Sequence, residues 1–304
     1  MDHDDILIMG AGPAGLACAM ELYKEGLSFT VVEKDKQAGG LSQTYKLGEF
    51  RTDNGPHRFY SQNQYLYDFI EDLLGEKWIT VDRFTKFCVE GKFYHYPVEW
   101  RDTLANMGIM TAMRALTDYL TEQIRPRRQE PENFEAFAIA NFGETLANFN
   151  MLNYTEKIWG MPCSQISVDW AKQRIKGLTL KSLVTKALLK KAGPRTLTDQ
   201  FYYPEMGSGQ IYQTIAEKIS RKNHLLLENE PVRIVSKDNL ITEVNLRDGK
   251  SHFPKTVVSS IPITTLIGLM DPAPSSEIMD AVNGLRFRSQ VYLFVTIDKP
   301  SVSK

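Results

Sequence analysis

The segment from Asp5 to Glu33 constrains the fold of this 304-residue chain more than any other segment. The apolar run DILIM is typical of a short buried strand, and the glycine-rich run GAGPAG follows it. The pattern LACAMELYK then predicts a helix, and FTVVE predicts a second buried strand. A strand, a glycine-rich turn, a helix and a strand in this order open a doubly wound, parallel sheet. We therefore predict an α/β fold that begins with this unit.

The glycines of this unit have the G-x-G-x-x-G spacing that is typical of dinucleotide binding. Gly10 permits a tight turn, Gly12 lets the backbone approach a pyrophosphate, and Gly15 allows close packing of the helix on the strand. The helix N-terminus then faces the phosphates. Glu33 follows about 20 residues later, where an acid accepts the ribose 2′-hydroxyl. These features predict a dinucleotide site; the alternative is a glycine-rich turn without a ligand.

Three further features favour FAD as the dinucleotide. Gly39 and Gly40 follow the second strand, so that the chain can approach the pyrophosphate a second time. The segment EPVRIVS supplies a strand whose backbone can contact adenine near Val232. The buried-type strand TVVSSIP can rejoin the nucleotide-binding sheet. A second complete glycine fingerprint for NAD(P)H is not visible in the sequence.

Local patterns predict further elements along the chain. We expect a helix over 63–75, a hairpin over 84–96, and mostly helical structure between about 101 and 191. The segment FYYPEMGSGQIYQTIAEKI predicts a strand, a glycine-rich turn and a helix, and VRIVSKDNLITEVNLRDGKSHF predicts a meander. The final apolar segment, SQVYLFVTIDK, predicts one more strand.

Four segments of the sequence resemble the FAD-binding parts of the flavin-containing amine oxidase clan: GAGPAGL, VVEKDKQAGGLSQTY, DNGPHRF and SSIP. The clan includes protoporphyrinogen oxidases, carotenoid desaturases and UDP-galactopyranose mutases. The resemblance implies a glutathione-reductase-like Rossmann domain that binds FAD and is discontinuous in sequence, over 1–77 and 203–268. It also implies an inserted, mostly helical α+β substrate domain over 78–202 and 269–304.

The resemblance implies a set of cofactor contacts. We expect FAD to be bound by Gly10, Gly12, Pro13, Ala14, Gly15, Glu33, Lys34, Gly40, Leu41, Gly55, Pro56, His57 and Val232. Leu41 stands where many members of the clan carry arginine, so one pyrophosphate contact differs. His57 is the candidate catalytic residue, because an imidazole at the flavin can donate a hydrogen bond, tune charge or transfer a proton. The alternative is a loop histidine near solvent.

The segment YTEKIWG (154–160) resembles the YTxKQWG segment of the mutases, which contacts a nucleotide-sugar. The resemblance implies that Tyr154 and Trp159 contact a nucleobase and that Arg174 binds a diphosphate, for which the planar guanidinium is suited. Two departures weaken this assignment: Ile158 replaces the glutamine, and the arginine is offset by one position, so that Gln173 occupies the matching place. The alternative is ordinary helix packing.

Charge and cysteine content limit the partners. The net charge of −1 argues against nucleic acid, and the three separated cysteines argue against a metal site and favour a reducing, cytoplasmic location. Residues 171–198 contain many lysines and arginines and no acid. A basic amphipathic helix over 178–191 has three interpretations: weak peripheral contact with an anionic membrane, a site for a phosphorylated substrate, or a packed helix with solvated lysines.

These observations lead to three functional hypotheses. The first is an FAD-dependent oxidoreductase of the amine-oxidase or protoporphyrinogen-oxidase type, which transfers hydride from an organic small molecule to flavin. The second is a sugar-nucleotide isomerase that resembles UDP-galactopyranose mutase. The third is a truncated or non-catalytic FAD-fold protein, because family members continue beyond the position of Lys304.

Overall fold

The computed structural model describes residues 5–83, 85–89, 91–95, 107–126, 130–174, 200–221 and 224–299. The chain divides into two compact units. The first unit joins Met1–Val81 to Phe201–Lys304, and the second is Asp82–Gln200. This division differs from the predicted domains at the C-terminal end, because residues 269–304 fall in the first unit and not with the inserted unit.

The strands are, in chain order, β1 (Ile6–Met9), β2 (Phe29–Val32), β3 (Thr44–Leu47), β4 (Phe50–Asp53), β5 (Trp78–Asp82), β6 (Lys86–Val89), β7 (Lys92–His95), β8 (Gln200–Pro204), β9 (Leu225–Leu226), β10 (Pro231–Lys237), β11 (Leu240–Leu246), β12 (Ser251–His252), β13 (Thr256–Ser259) and β14 (Met270–Asp271). The α-helices are α1 (Pro13–Lys24), α2 (Gln64–Leu74), α3 (Ile109–Ile124), α4 (Phe134–Phe142), α5 (Asn153–Trp159), α6 (Val168–Arg174), α7 (Gly209–Ser220), α8 (Ile263–Gly268) and α9 (Ser276–Gly284). A helical turn at Glu144–Leu146 and a π-helix at Ala147–Leu152 connect α4 to α5.

A parallel sheet in the order β13-β1-β2-β9 forms the centre of the first unit. Ile6 of β1 pairs with Phe29 of β2 on one side and with Thr256 of β13 on the other. The prediction that TVVSSIP rejoins the nucleotide-binding sheet is therefore confirmed. The sequence of β1 and β2 is apolar without alternation because both faces of this sheet are buried.

Helices cover one face of the parallel sheet. Ile8 and Phe29 point to this face, and they pack with Leu16 of α1 and with Ile215 and Ile219 of α7. Helix α1 begins at a proline, which is favoured at the first helical position because the N–H group there has no intrahelical partner. Helix α2 packs on α7 and closes this layer.

A second sheet covers the opposite face, with the strand order β12-β11-β10-β14. Leu7, Met9 and Val32 point to this side, because successive strand residues alternate between faces, and they pack with Ile234 and Val244. The predicted meander is therefore confirmed. Together the two layers confirm the predicted α/β fold class and place the ends of β1 and β2 next to the glycine loop.

The prediction of a strand in SQVYLFVTIDK is wrong. Residues 285–297 form neither helix nor strand. Val291 and Leu293 are 95% and 85% exposed. The alternating apolar pattern supplies strand propensity, but a strand also needs a neighbour for its N–H and C=O groups, and no strand in the described parts of the chain pairs with it.

The second unit contains one hairpin and several helices. Strands β6 and β7 pair antiparallel, from Lys86 with His95 to Val89 with Lys92, as the sequence predicts. The core of this unit lies between α4, the π-helix and the segment that precedes α6. Its buried residues are Phe134, Ala138, Ala147, Leu152, Cys163, Ile166 and Ala171. The unit thus has the mostly helical α+β character that the sequence predicts.

Candidate cofactor and substrate site

The glycine loop between β1 and α1 is closely packed at two of its glycines. Gly10 has φ +99°, and its N–H donates to the Val32 carbonyl at 2.8 Å. A Cβ atom on Gly15 would lie 2.0 Å from the carbonyl oxygen of Gly10. The Ser260 hydroxyl oxygen lies 3.0 Å from the Met9 carbonyl oxygen. These two glycines are therefore required by the protein's own packing.

Gly12 has a different environment. Its φ of −74° is open to any residue, and a Cβ atom there would come no closer to another residue than 3.9 Å, at Gly40 Cα. Gly40 has φ +52°, and the Gly39 N–H donates to the Ala11 carbonyl at 2.8 Å, which brings the second glycine turn against the first. The two turns thus form a cradle of backbone that a side chain at Gly12 would fill. A pyrophosphate at the start of α1 fits this cradle.

Glu33 lies at the end of β2, next to the glycine loop, and is only 6% exposed. Its Oε2 accepts from the Ala11 N–H at 2.7 Å, and its Oε1 accepts from the Asp35 N–H at 3.0 Å. Because an ionised carboxylate offers about four acceptor sites, the group keeps capacity for a ribose hydroxyl. The structure places Lys34 in an exposed position beside it.

The remaining predicted cofactor residues differ in position. Pro13 and Ala14 form the first turn of α1. Leu41 lies in a 3₁₀ turn over Gly40–Ser42 and is 78% exposed, and Val232 lies on β10 and is 46% exposed. Contacts of these residues with FAD stay predictions.

The DNGPH loop (residues 53–57) follows β4. The Gly55 N–H donates to the Asp53 carbonyl at 2.7 Å, and the Asn54 N–H donates to the Gln43 carbonyl at 2.9 Å. Pro56 is exposed and His57 is half-buried. The His57 Nδ1 atom is buried and has no hydrogen-bond partner within the described residues. Since buried polar atoms are nearly always paired, a bound group is a fitting partner for this nitrogen.

Asp53 connects the DNGPH loop to residues far away in sequence. Its carboxylate is 9% exposed and accepts from the Thr44 hydroxyl at 2.6 Å, the Tyr203 hydroxyl at 2.5 Å and the Ser208 N–H at 3.1 Å. Burial, together with the hydrogen bond to this carboxylate, raises the pKa of Tyr203. No local sequence pattern identifies these four residues as a group, because Asp53 and Tyr203 are 150 residues apart in the chain.

A tyrosine of the C-terminal segment also lies against this loop. A Cβ atom on Gly55, which has φ +94°, would lie 2.7 Å from the Cζ and Oη atoms of Tyr292. The ring of Tyr292 is therefore in direct contact with the backbone of Gly55. The sequence pattern indicates only an apolar strand in this segment, so it could not identify this contact.

The YTEKIWG segment forms helix α5 from its second residue, Tyr154, to the glycine that ends it. Gly160 terminates the helix in the left-handed conformation, with φ +64°. Thr155 is buried, and Glu156 Oε1 accepts from the Cys163 N–H at 3.0 Å. Burial, reinforced by the charge of Glu156, raises the pKa of the Cys163 thiol to about 11. Part of the segment therefore serves the local fold.

The two aromatic residues of the segment are solvent-accessible. Tyr154 is 60% exposed and Trp159 is 40% exposed. Trp159 makes an edge-to-face contact with Trp170, with 5.6 Å between ring centroids. Arg174 is the last described residue of α6, and its side chain lies outside the described part of the structure, as does the predicted basic helix 178–191.

The parallel sheet, the glycine cradle, the buried acid and the covering meander are the features of a dinucleotide-binding domain. The chain belongs to the family described as flavin containing amine oxidoreductase, whose sequence profile matches residues 13–304. It binds FAD, as this family does. No helix within the described ranges is both long and apolar enough to cross a membrane.

Three individual similarities stand out. The chain is 25% identical over 178 residues to a Klebsiella pneumoniae protein named "Probable UDP-galactopyranose mutase", covering 57% of this chain and 45% of that protein. It is 21% identical over 287 residues to a Dictyostelium discoideum protein named "Probable flavin-containing monoamine oxidase A", covering 89% of this chain and 60% of that protein. The crystal structure of reduced UDP-galactopyranose mutase superposes with a TM-score of 0.76 at 24% identity, covering 92% of this chain and 60% of that one. The chain thus spans less than two thirds of each of these proteins.

Proposed function

We propose that this protein is a flavin-dependent enzyme that acts on a nucleotide-linked sugar, with isomerisation of the sugar ring as its reaction. The observation that carries the proposal is that some residues of YTEKIWG stabilise the local fold while its two aromatic residues do not. Thr155 and Glu156 are used by the local fold, whereas the rings of Tyr154 and Trp159 are presented to solvent. The similarity to a protein named as a UDP-galactopyranose mutase supports the same substrate class.

In this proposal the aromatic residues bind the nucleobase. Tyr154 and Trp159 offer large apolar faces on a short helix, and stacking of a base on such a face contributes about 1–3 kcal/mol. Arg174 is proposed to bind the diphosphate, because its guanidinium matches phosphate oxygens in pairs. The departure at Ile158 leaves both aromatic residues in place, whereas the departure at Gln173 requires Arg174 to bind the diphosphate from the next position along the chain.

The reaction centre in this proposal is the DNGPH loop. Bound flavin in its reduced form would supply an electron pair to the sugar and regain it, with no net oxidation or reduction. His57 is proposed to lie at the flavin, where its buried Nδ1 holds a hydrogen bond or moves a proton. The chain turns at Gly55, which has a positive φ, two residues before His57 at the end of the loop. In this proposal the glycine cradle at Gly12 and Gly40 holds the pyrophosphate of the dinucleotide, and the acid Glu33 accepts a ribose hydroxyl.

Nucleotide binding is tested with UDP as the probe. We expect Trp159→Ala and Tyr154→Ala each to weaken UDP binding by about 5- to 150-fold, the equivalent of about 1–3 kcal/mol of stacking, in titration calorimetry. Phe93→Ala is the matched control, because Phe93 is an exposed aromatic residue of the same unit, on the hairpin. Wild-type UDP affinity in both motif variants would contradict the nucleotide assignment.

The reaction is tested with the FAD-loaded protein under anaerobic conditions. After reduction of the flavin, UDP-galactopyranose is expected to yield a ring-contracted product, detected by chromatography, while the flavin stays reduced. Absence of this product together with tight UDP binding would reject the isomerase and keep the substrate class.

A second candidate is hydride transfer from an organic small molecule to flavin. The family match over residues 13–304 favours it, and so does the segment FYYPEMGSGQ, which resembles the oxidase and desaturase branch and is bound to Asp53 through Tyr203 and Ser208. In this case the oxidised flavin should bleach on anaerobic mixing with substrate, and air should restore its absorbance. Bleaching by a small-molecule amine or alkene, without nucleotide dependence, would select this candidate over the isomerase.

A further inference from the structure

The carboxylate of Asp53 is the meeting point of three chain segments. It receives the hydroxyl of Thr44 from β3, the hydroxyl of Tyr203 from β8 and the backbone N–H of Ser208 from the turn before α7. Asp53 itself is the last residue of β4 and the first of the DNGPH loop. Three donors therefore converge on one nearly buried acid whose next residues form the loop.

The surrounding backbone is built closely around this acid. The Thr44 hydroxyl accepts from the Gly209 N–H at 2.8 Å, so its own hydrogen is committed to Asp53. Gly207 has φ +96°, and a Cβ atom there would lie 2.5 Å from Thr44 and 2.8 Å from Asp53 Oδ1. The glycines of the MGSG turn therefore let this turn approach the carboxylate closely enough to donate its N–H group.

We propose that Asp53 is a positioning residue that sets the position of the DNGPH loop, and with it His57, at the flavin. The inference rests on the proposed contact between this loop and the flavin. Two backbone hydrogen bonds also hold the loop: the Asn54 N–H donates to the Gln43 carbonyl, and the Gly55 N–H donates to the Asp53 carbonyl. The His57 Nδ1 atom has no hydrogen-bond partner within the described residues. The carboxylate network is consequently the anchor that connects the loop to α7 and β8.

The proposal predicts a graded series of variants. Asp53→Ala removes the acceptor for all three donors and should weaken FAD binding by about tenfold or more, because the loop then loses the charge-assisted hydrogen bonds that hold its first residue. It should also shift the visible absorption band of the bound flavin. Asp53→Asn should restore much of both properties, because its oxygen can accept from Thr44 and Ser208 while its amide donates to the Tyr203 hydroxyl oxygen. Tyr203→Phe removes one donor and should give an intermediate shift.

Asp118→Asn is the matched control. Asp118 is a carboxylate of the second unit that accepts from the hydroxyl and the N–H of Thr145, at 2.5 and 3.2 Å. Because Asp118 is a half-buried, hydrogen-bonded acid, the substitution should lower the thermal midpoint of the apoprotein and leave the FAD dissociation constant and the flavin spectrum unchanged. If Asp53→Ala does not fold, Asp53→Asn and Tyr203→Phe carry the test with the same readouts.

Comparison with His57→Gln separates the inference from the proposal on which it rests. A changed flavin spectrum in His57→Gln, together with unchanged spectra and FAD affinities in all variants of Asp53 and Tyr203, would overturn the positioning role alone. Unchanged flavin spectra in His57→Gln and in the variants of Asp53 and Tyr203 would show that the loop does not lie at the flavin. This result would overturn both the proposed loop–flavin contact and the positioning role of Asp53. A lower apoprotein midpoint in Asp53→Ala with a wild-type flavin spectrum would show a purely structural acid and would also overturn the inference.

Discussion

Gly12→Ala should weaken FAD binding without destabilising the protein that lacks FAD. Gly12 has an ordinary φ of −74°, and the nearest atom to a new Cβ is Gly40 Cα at 3.9 Å, an ordinary contact distance. Replacing glycine by alanine at a compatible conformation stabilises a fold by about 0.4–1 kcal/mol, and alanine is a weaker helix N-cap by a similar amount. The two effects offset each other, so the free energy of unfolding should stay within about 1 kcal/mol of wild type.

The new methyl group occupies the cradle between Gly12 and Gly40, where the pyrophosphate is expected. Inserting a methyl group into a filled site costs about 1–3 kcal/mol, which corresponds to about 5- to 150-fold in the dissociation constant. At an FAD concentration of 100 times the wild-type dissociation constant, FAD stabilises the wild type by about 2.7 kcal/mol. After a 100-fold loss of affinity the same concentration contributes only about 0.4 kcal/mol.

Thermal unfolding with and without FAD measures both quantities, and a flavin-fluorescence titration measures affinity directly. Gly15→Ala is the contrasting variant, because its Cβ would lie 2.0 Å from the Gly10 carbonyl oxygen and cannot be relieved by a side-chain rotation. It should destabilise the apoprotein by about 3 kcal/mol or more. The reasoning is refuted if Gly12→Ala binds FAD as the wild type does, or if it loses as much apoprotein stability as Gly15→Ala.

Four further predictions concern stability, pH dependence and thiol reactivity. Phe29→Ala should cost about 3–5 kcal/mol in urea unfolding, because the ring is fully buried, whereas Phe50→Ala at a 61% exposed position should cost less than about 0.5 kcal/mol. Glu33→Ala removes the acceptor of two backbone N–H groups and should cost about 1–3 kcal/mol of apoprotein stability and weaken FAD binding in the same titration. The pKa of the Cys163 thiol is raised from 9.0 to about 11, so between these pH values the unfolded chain releases a proton that the folded chain keeps, and stability should fall as pH rises from 9 towards 11. Cys163→Ala should flatten that part of the pH profile of urea unfolding, and an unchanged slope would contradict the role of the Cys163 thiol in this pH dependence. The exposed Cys88 should react with a thiol reagent at pH 8 well before the buried Cys163 does.

Local patterns predicted much of the first unit. The strand, glycine loop, helix and second strand were readable because each depends on neighbouring residues: apolar runs, glycine spacing and an acid at the end of β2. The hairpin of β6 and β7 could be predicted for the same reason. The segment 289–299 shows the limit of this approach, because its apolar alternation is real and yet it forms no strand.

The sequence alone determined that this chain builds a parallel sheet around a dinucleotide-binding loop, since that information is contained within about 30 consecutive residues. The spacing of the glycines also predicted that Gly15 serves helix packing and Gly12 the pyrophosphate, and only the tertiary structure supplied the distances behind this difference, 2.0 Å for a Cβ atom on Gly15 and 3.9 Å for one on Gly12. Only the tertiary structure also brought Thr44, Tyr203 and Ser208 to the carboxylate of Asp53. The physical reason is that propensity and periodicity act between neighbours, whereas the partners of a buried acid are chosen by the packing of segments that are distant in sequence.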